Sequence, residues 1–169
     1  MKEIPIDEAW KRKYPEQIVF VVSINSKGDF NIMPAGWFTP VSGDPPLVGV
    51  SIARERHTRM LVSETKEFVI AFPDEAMKKE VLFCGTHSGN NVDKFKETGL
   101  VILPSKKVKP PLIDGCVLNF ECKLLQEIPA GGNVLFIGEI LAAHVSGEEK
   151  NRLYNFGNLS FKGIPRNCI

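Results

Sequence analysis

The stretch CVLNFECKL (residues 116–124) alternates with a period of two: Cys116, Leu118, Phe120, Cys122 and Leu124 against Asn119, Glu121 and Lys123. Side chains along a strand point to opposite faces in turn, so this is a strand with one face in a core. AGGN (130–133) joins it to VLFIGEILAAHV (134–145), a second long apolar run. Two such runs across a glycine turn predict an antiparallel pairing.

The same vocabulary continues outward. IVFVVSI (18–24) is an apolar run of strand length, SKGD (26–29) turns, and FNIM resumes extended structure. LVGVSI (47–52) and EFVIAF (67–72) are further short strands, introduced and ended by prolines. Helices are few. Thr58 is a candidate N-cap for a short helix to Ser63 or Glu64. Asp74 caps DEAMKKEVLF until Gly85, and NVDKFKETG closes at Gly99. Strands separated by turns favour a barrel or sandwich over a parallel α/β fold. The segment PAGWFTPVSGDPPL (34–47), rich in proline and glycine, reads as broken chain. A core has no need of its largest aromatic there, so Trp37 faces a partner.

The 169 residues suit one domain spanning 1–169, with enough core to fold. A net charge of +1 argues against nucleic acid as a partner. The start MKEIPIDEAW has no apolar signal region, and no run is long enough to span a membrane. Cys84, Cys116, Cys122 and Cys168 form no CxxC pair and no zinc spacing, so no metal site is expected. A cytoplasmic location with reduced thiols follows as the expectation. Cys116 and Cys122 are placed in the core, Cys84 is structural, and Cys168 is exposed and incidental.

Motifs for dinucleotide cradles, P-loops, nucleophile elbows and zincins are absent. Ser88, His87 and Asp93 lack triad spacing. ARERHT (53–58) carries more information. Arg54, Arg56, His57 and Arg59 crowd the end of a strand just before a helix start, where backbone N–H groups and forked arginines bind phosphate. A solvated basic turn paired with Asp74 or Glu55 is the alternative reading. Lys94 is either a second anion contact or an exposed helix lysine. A ligand planar at one end and phosphorylated at the other would satisfy both AGWFT and ARERHT. FMN has that outline. Pyridoxal phosphate shares it but needs a Schiff-base lysine, and none is marked for that role. Gly36 would permit close approach to a polar ring edge, and Thr39 would add a hydroxyl.

Five segments in order, NIMPAGWFTPVSGDPPLVGVSI, RERHT, FCGTHSGNNVDKFKETGL, PPLIDGCVLNFECKL and LFIGEILAAHV, resemble the flavin reductase-like, FMN-binding split-barrel family, in its flavoredoxin branch. The likeness runs from Glu16 to Ile164. It implies a mainly β fold, a six-stranded antiparallel split β-barrel with a few short helices, and a homodimer with non-covalent FMN near the interface. It implies that Asn31, Trp37 and the backbone of Ala35, Gly36, Trp37, Phe38 and Thr39 line the isoalloxazine. Arg54, His57, Thr58 and Lys94 would surround the ribityl phosphate, and Ser51 and Ile52 would add backbone contacts. Asn133 stands where relatives often carry a histidine, and Phe161 or Phe156, with Phe161 preferred, would bring an aromatic to the ring.

The implied activity is oxidoreduction, with NADH or NADPH as donor and FMN passing electrons to an acceptor. No side-chain acid or base is then required, because the flavin carries the chemistry. The alternative is an electron carrier reduced by a redox protein partner, with little NAD(P)H oxidation.

Overall fold

The apolar runs become strands because they bury their apolar side chains, and glycines lie in the β2–β3 and β9–β10 turns, at Gly28 and at Gly131 and Gly132. The structure is a computed structural model that describes residues 1–165; Cys168 lies outside the described residues. In chain order the elements begin with α1 (Ile6–Lys11), β1 (Glu16–Gln17), β2 (Val19–Ile24), β3 (Phe30–Ala35), β4 (Phe38–Gly43) and β5 (Pro46–Ala53). Then come α2 (His57–Thr65), β6 (Glu67–Phe72), a 3-10 turn (Glu75–Met77), α3 (Lys78–Thr86) and α4 (Lys94–Thr98). The chain continues through β7 (Ile102–Leu103), β8 (Leu112–Ile113), β9 (Leu118–Ala130), β10 (Asn133–Val145), β11 (Arg152–Asn155) and β12 (Phe161–Ile164).

The main sheet is antiparallel, in the order β3-β2-β6-β9-β10-β5-β4. β9 and β10 pair along their length, with bulges near Ile137 and Leu141 that bend the ribbon. Gly138 sits in this bend because a Cβ there would come within 2.4 Å of the Phe68 ring. The concave side holds Val19, Val21, Val50, Phe68, Ile70 and Phe136, and a second cluster on the other side packs Phe20, Val22, Ile32 and Val69 against α3, β8, β11 and β12.

This is the expected mainly β split barrel, with a different strand count: the main sheet has seven strands and is not closed. The added strand is β4, inside the segment read as broken chain. Phe38 holds it down, packing edge-on against Phe72 with ring centroids 5.5 Å apart. Pro40 is tolerated because β4 is an edge strand, where a missing N–H faces no partner.

Three local expectations change. Arg56, not Thr58, is the N-cap residue of α2, and Thr58 lies inside the helix, buried. Gly85 is inside α3 rather than beyond it. The second face of β9 is covered as well: Asn119 and Glu121 are buried beneath residues 105–113. Asp74 caps and Gly99 closes α4, at a φ of 69°, as expected, and Asp93 supplies the N-cap of α4.

Candidate functional site

Two adjoining cavities open where β3 and β5 end and α2 begins. The first, of about 260 Å³, is lined by Glu16, Met33, Pro34, Ala35, Gly36, Trp37, Ser51, Ile52, Ala53, Arg56, Gly85 and Asn133. Strand ends build it. The Ser51 N–H donates to the Trp37 carbonyl at 2.9 Å, and Asn133 Nδ2 donates to Ser51 Oγ at 2.9 Å. Its walls therefore combine apolar side chains with backbone edges and an amide. Gly36 is required for a reason other than ligand approach: an added Cβ would lie 2.6 Å from the Glu16 carboxylate, which packs against it.

The second cavity, of about 140 Å³, is lined by Asn31, Met33, Glu55, Arg56, His57, Thr58, Cys84, His87, Ser88, Gly89 and Lys94. Met33 and Arg56 line both cavities, so the two adjoin at these side chains. Asn31 is buried and donates to Thr58 Oγ1 at 2.7 Å. Gly89 presses on Asn31 so closely that a Cβ would fall 2.1 Å from its Oδ1. Lys94 is buried, not exposed; its Nζ donates to the carbonyls of Ile32 at 2.9 Å and Cys84 at 2.8 Å. An ammonium has three donors, so one remains for the cavity.

Charge in this corner is compressed. Burial, then the Lys94 charge, holds the His57 imidazole below its ordinary value. His57 Nδ1 is buried without a hydrogen-bond partner among the described residues. Burial also lowers the Lys94 ammonium, and Arg56 adds to that. Burial pushes the Cys84 thiol up to about 11, although Lys94 pulls the other way. A thiol so raised stays protonated and inert at neutral pH, the structural reading of Cys84. Cys116 and Cys122 are buried with thiols raised by burial as well.

The structure thus brings Asn31, Ala35, Gly36, Trp37, Ser51, Ile52, His57, Thr58, Lys94 and Asn133 to these two adjoining cavities. Four expected residues stand outside their lining. Arg54 is exposed, and its N–H ties β5 to the β9–β10 turn through the Gly132 carbonyl at 3.1 Å. Phe38 is in the core, and Thr39 is exposed with its hydroxyl on the Pro40 carbonyl. Phe161 is buried in the second core cluster. Arg56, although exposed, lines both cavities, and the turn that carries it closes with the Arg56 N–H on the Ala53 carbonyl at 3.1 Å. Glu16, Met33 and Gly89 carried no local signal; their places depend on chain segments distant in sequence.

The flavin reductase-like domain family model matches residues 11–164. The chain belongs to that family. A relative in Archaeoglobus fulgidus, an uncharacterized protein, is 41% identical over 128 residues, covering 76% of this chain and 71% of the relative. Another, in Pyrococcus abyssi, is 37% identical over 155 residues, covering 88% of each chain. Among solved structures, this flavin reductase-like chain is similar to flavoredoxin from Methanosarcina acetivorans, with a TM-score of 0.81 and 27% identity over 90% of this chain and 86% of that one. It is also similar to an FMN-binding protein from Thermus thermophilus, with a TM-score of 0.83 and 26% identity over 98% and 93%. The likeness to the Methanosarcina flavoredoxin agrees with the branch that the order of the motifs implies. Among the described residues no helix is long and apolar enough to cross a membrane.

Proposed function

We propose that the protein binds FMN without a covalent bond and acts as an oxidoreductase, taking electrons from NADH or NADPH and passing them to an acceptor. The observation that carries this reading is that a backbone-edged, partly apolar cavity adjoins a cationic one at Met33 and Arg56. The residues present fit the group. The unpartnered His57 Nδ1 and the third Lys94 donor lie where a phosphate would end, beside the first turn of α2. Ser51, Asn133 and the 35–37 backbone offer donors and acceptors to a polar ring edge. The likeness to the Thermus protein, described as FMN-binding, supports the choice of flavin.

Bound FMN would supply hydride acceptance and electron transfer, which no side chain here can perform. The protein's part is to bind, orient and shield. Arg56, at the junction of the cavities, orients the ligand by meeting its charged half. Trp37 walls the ring cavity on its open side, half exposed and able to meet a planar partner.

Anaerobic mixing of purified protein and FMN with NADH or NADPH tests the reading. Loss of the oxidised flavin absorbance is expected. Flavin uptake with reduction only by a ferredoxin-type donor would replace the enzyme with an electron carrier. Failure to take up flavin at all would sink both.

A further inference from the structure

The chain has two tryptophans, and they stack on each other: Trp10 of α1 lies on Trp37 with ring centroids 5.6 Å apart and planes 22° from parallel. α1 buries none of its residues, and six residues are too few for a helix to persist alone in water. Something else holds it in place. Following it toward β1, the chain lies along the segment that walls the ring cavity. Glu16 packs on Gly36, Trp10 stacks on Trp37, and Gln17 Nε2 donates to the Phe38 carbonyl at 2.9 Å. Three consecutive residues, 36, 37 and 38, are each met by a different residue of the 10–17 strap.

The strap is itself fixed at its far end. Glu16 and Gln17 pair with Asn155 and Tyr154 of β11, and Arg152 donates to Gln17 Oε1 at 2.8 Å. Tyr14 covers Gly157, where a Cβ would come within 3.0 Å of its ring. Lys13 and Glu16 form an ion pair that holds the carboxylate against Gly36. Trp37 is half exposed and lies on a proline- and glycine-rich stretch, so its indole has no packing of core density to choose its rotamer. The Trp10 stack supplies that choice.

We propose that the 10–17 strap is a clamp that preorganises residues 36–38, with Trp10 the positioning residue that sets the Trp37 indole for a planar ligand. The inference rests on the ring cavity being the flavin site. Binding is tighter when the receptor is ordered beforehand, because less freedom is lost on association. Trp10 acts through Trp37 and itself lies outside the cavity lining.

Circular dichroism of the flavin-free protein reads the stack directly, since no other indole can contribute to an exciton couplet. A couplet is expected in the wild type and is lost in Trp10→Ala. Amide exchange across residues 36–38 is expected to quicken in Trp10→Ala, and Trp10→Phe, which keeps a ring, should restore most of the protection. Flavin titration should show the FMN dissociation constant rising by about twofold to tenfold in Trp10→Ala, the range one aromatic pair commands. The bound-flavin spectrum should shift, with both effects largely rescued by Trp10→Phe. No couplet in the wild type, or unchanged exchange at 36–38 in Trp10→Ala, would overturn the clamp. Faster exchange with unchanged flavin affinity and spectrum would overturn the positioning role. If the wild type binds no flavin while exchange still responds to Trp10, the clamp stands and the flavin reading fails.

Discussion

Arg54 and Arg56 show what a single residue's position decides. Both lie in one basic turn, and spacing alone treats them as equals. The turn closes between Ala53 and Arg56, which leaves Arg54 over the β9–β10 connection and brings Arg56 to both cavities. Charge-assisted hydrogen bonds contribute about 1.5–3 kcal/mol, and an exposed arginine belongs at the lower end of that range. Arg56→Ala is therefore expected to cost FMN about 1.5 kcal/mol of affinity and riboflavin nothing measurable. Arg54→Ala should leave both ligands unchanged. Calorimetric titration of each variant with both flavins checks this; a larger effect from Arg54→Ala would return the phosphate to the outer arginine. Lys94 repeats the lesson. Its short helix was readable from the closing Gly99, but its burial was not, because β3 and α3 supply the carbonyls that receive it.

At the scale of elements, period-two alternation was legible wherever one strand face meets the core. It was silent about what covers the other face. Asn119 and Glu121 have the polarity of an exposed face, yet Glu121 is fully buried and accepts N–H groups of Lys106, Lys107 and Val108 and the Nε2 of His144 at 2.6 Å. The carboxylate takes the place that a strand partner or water would otherwise fill for the 106–108 loop. β4 was illegible for a related reason. Its proline, Pro40, argues against a central strand, and only the register with β5 makes it an edge. Burial on its own would push the Glu121 carboxyl up, but the converging N–H donors outweigh it and hold the group below the usual 4.5. A depressed folded value means that its stabilisation is complete above the unfolded range and is lost as pH falls through the folded value. Glu121→Gln is expected to cost about 1.5–3 kcal/mol in urea unfolding near neutral pH. It should also flatten the acid limb of the stability profile. Equal acid slopes in the two proteins would show that the loop anchor is not what titrates.

The whole molecule leaves its open sheet with an edge at β4 and a face that continues outward from the ring cavity. Asn133, Leu135 and Ile137 alternate onto one side of β10, and Leu135 is paired with Ser51 on β5 and Ile128 on β9. Val41 joins them across Gly49, whose missing Cβ would touch Val41, Leu135 and Ile137. Val41 and Ile128 are both more than 40% exposed, at 47% and 42%. A lone exposed aliphatic needs no explanation, but here Val41 and Ile128 flank the half-buried Leu135 and the buried Ile137 beside the candidate groove, the kind of patch another surface can cover. A second copy of the chain is the occupant we propose, in keeping with the dimer that the sequence motifs imply. In a two-fold interface the same patch meets itself, so one substitution acts twice. Leu135→Glu would place an unpaired carboxylate in the interface from each subunit, two burials that cost several kcal/mol, and should give a folded monomer. Because Leu135 adjoins Ser51 and Asn133, FMN affinity is expected to fall with it. Sedimentation velocity at several concentrations, with flavin titration alongside, measures both. A wild-type protein that sediments as a monomer at every concentration would remove the interface, and a dimer that survives Leu135→Glu would place it on another face.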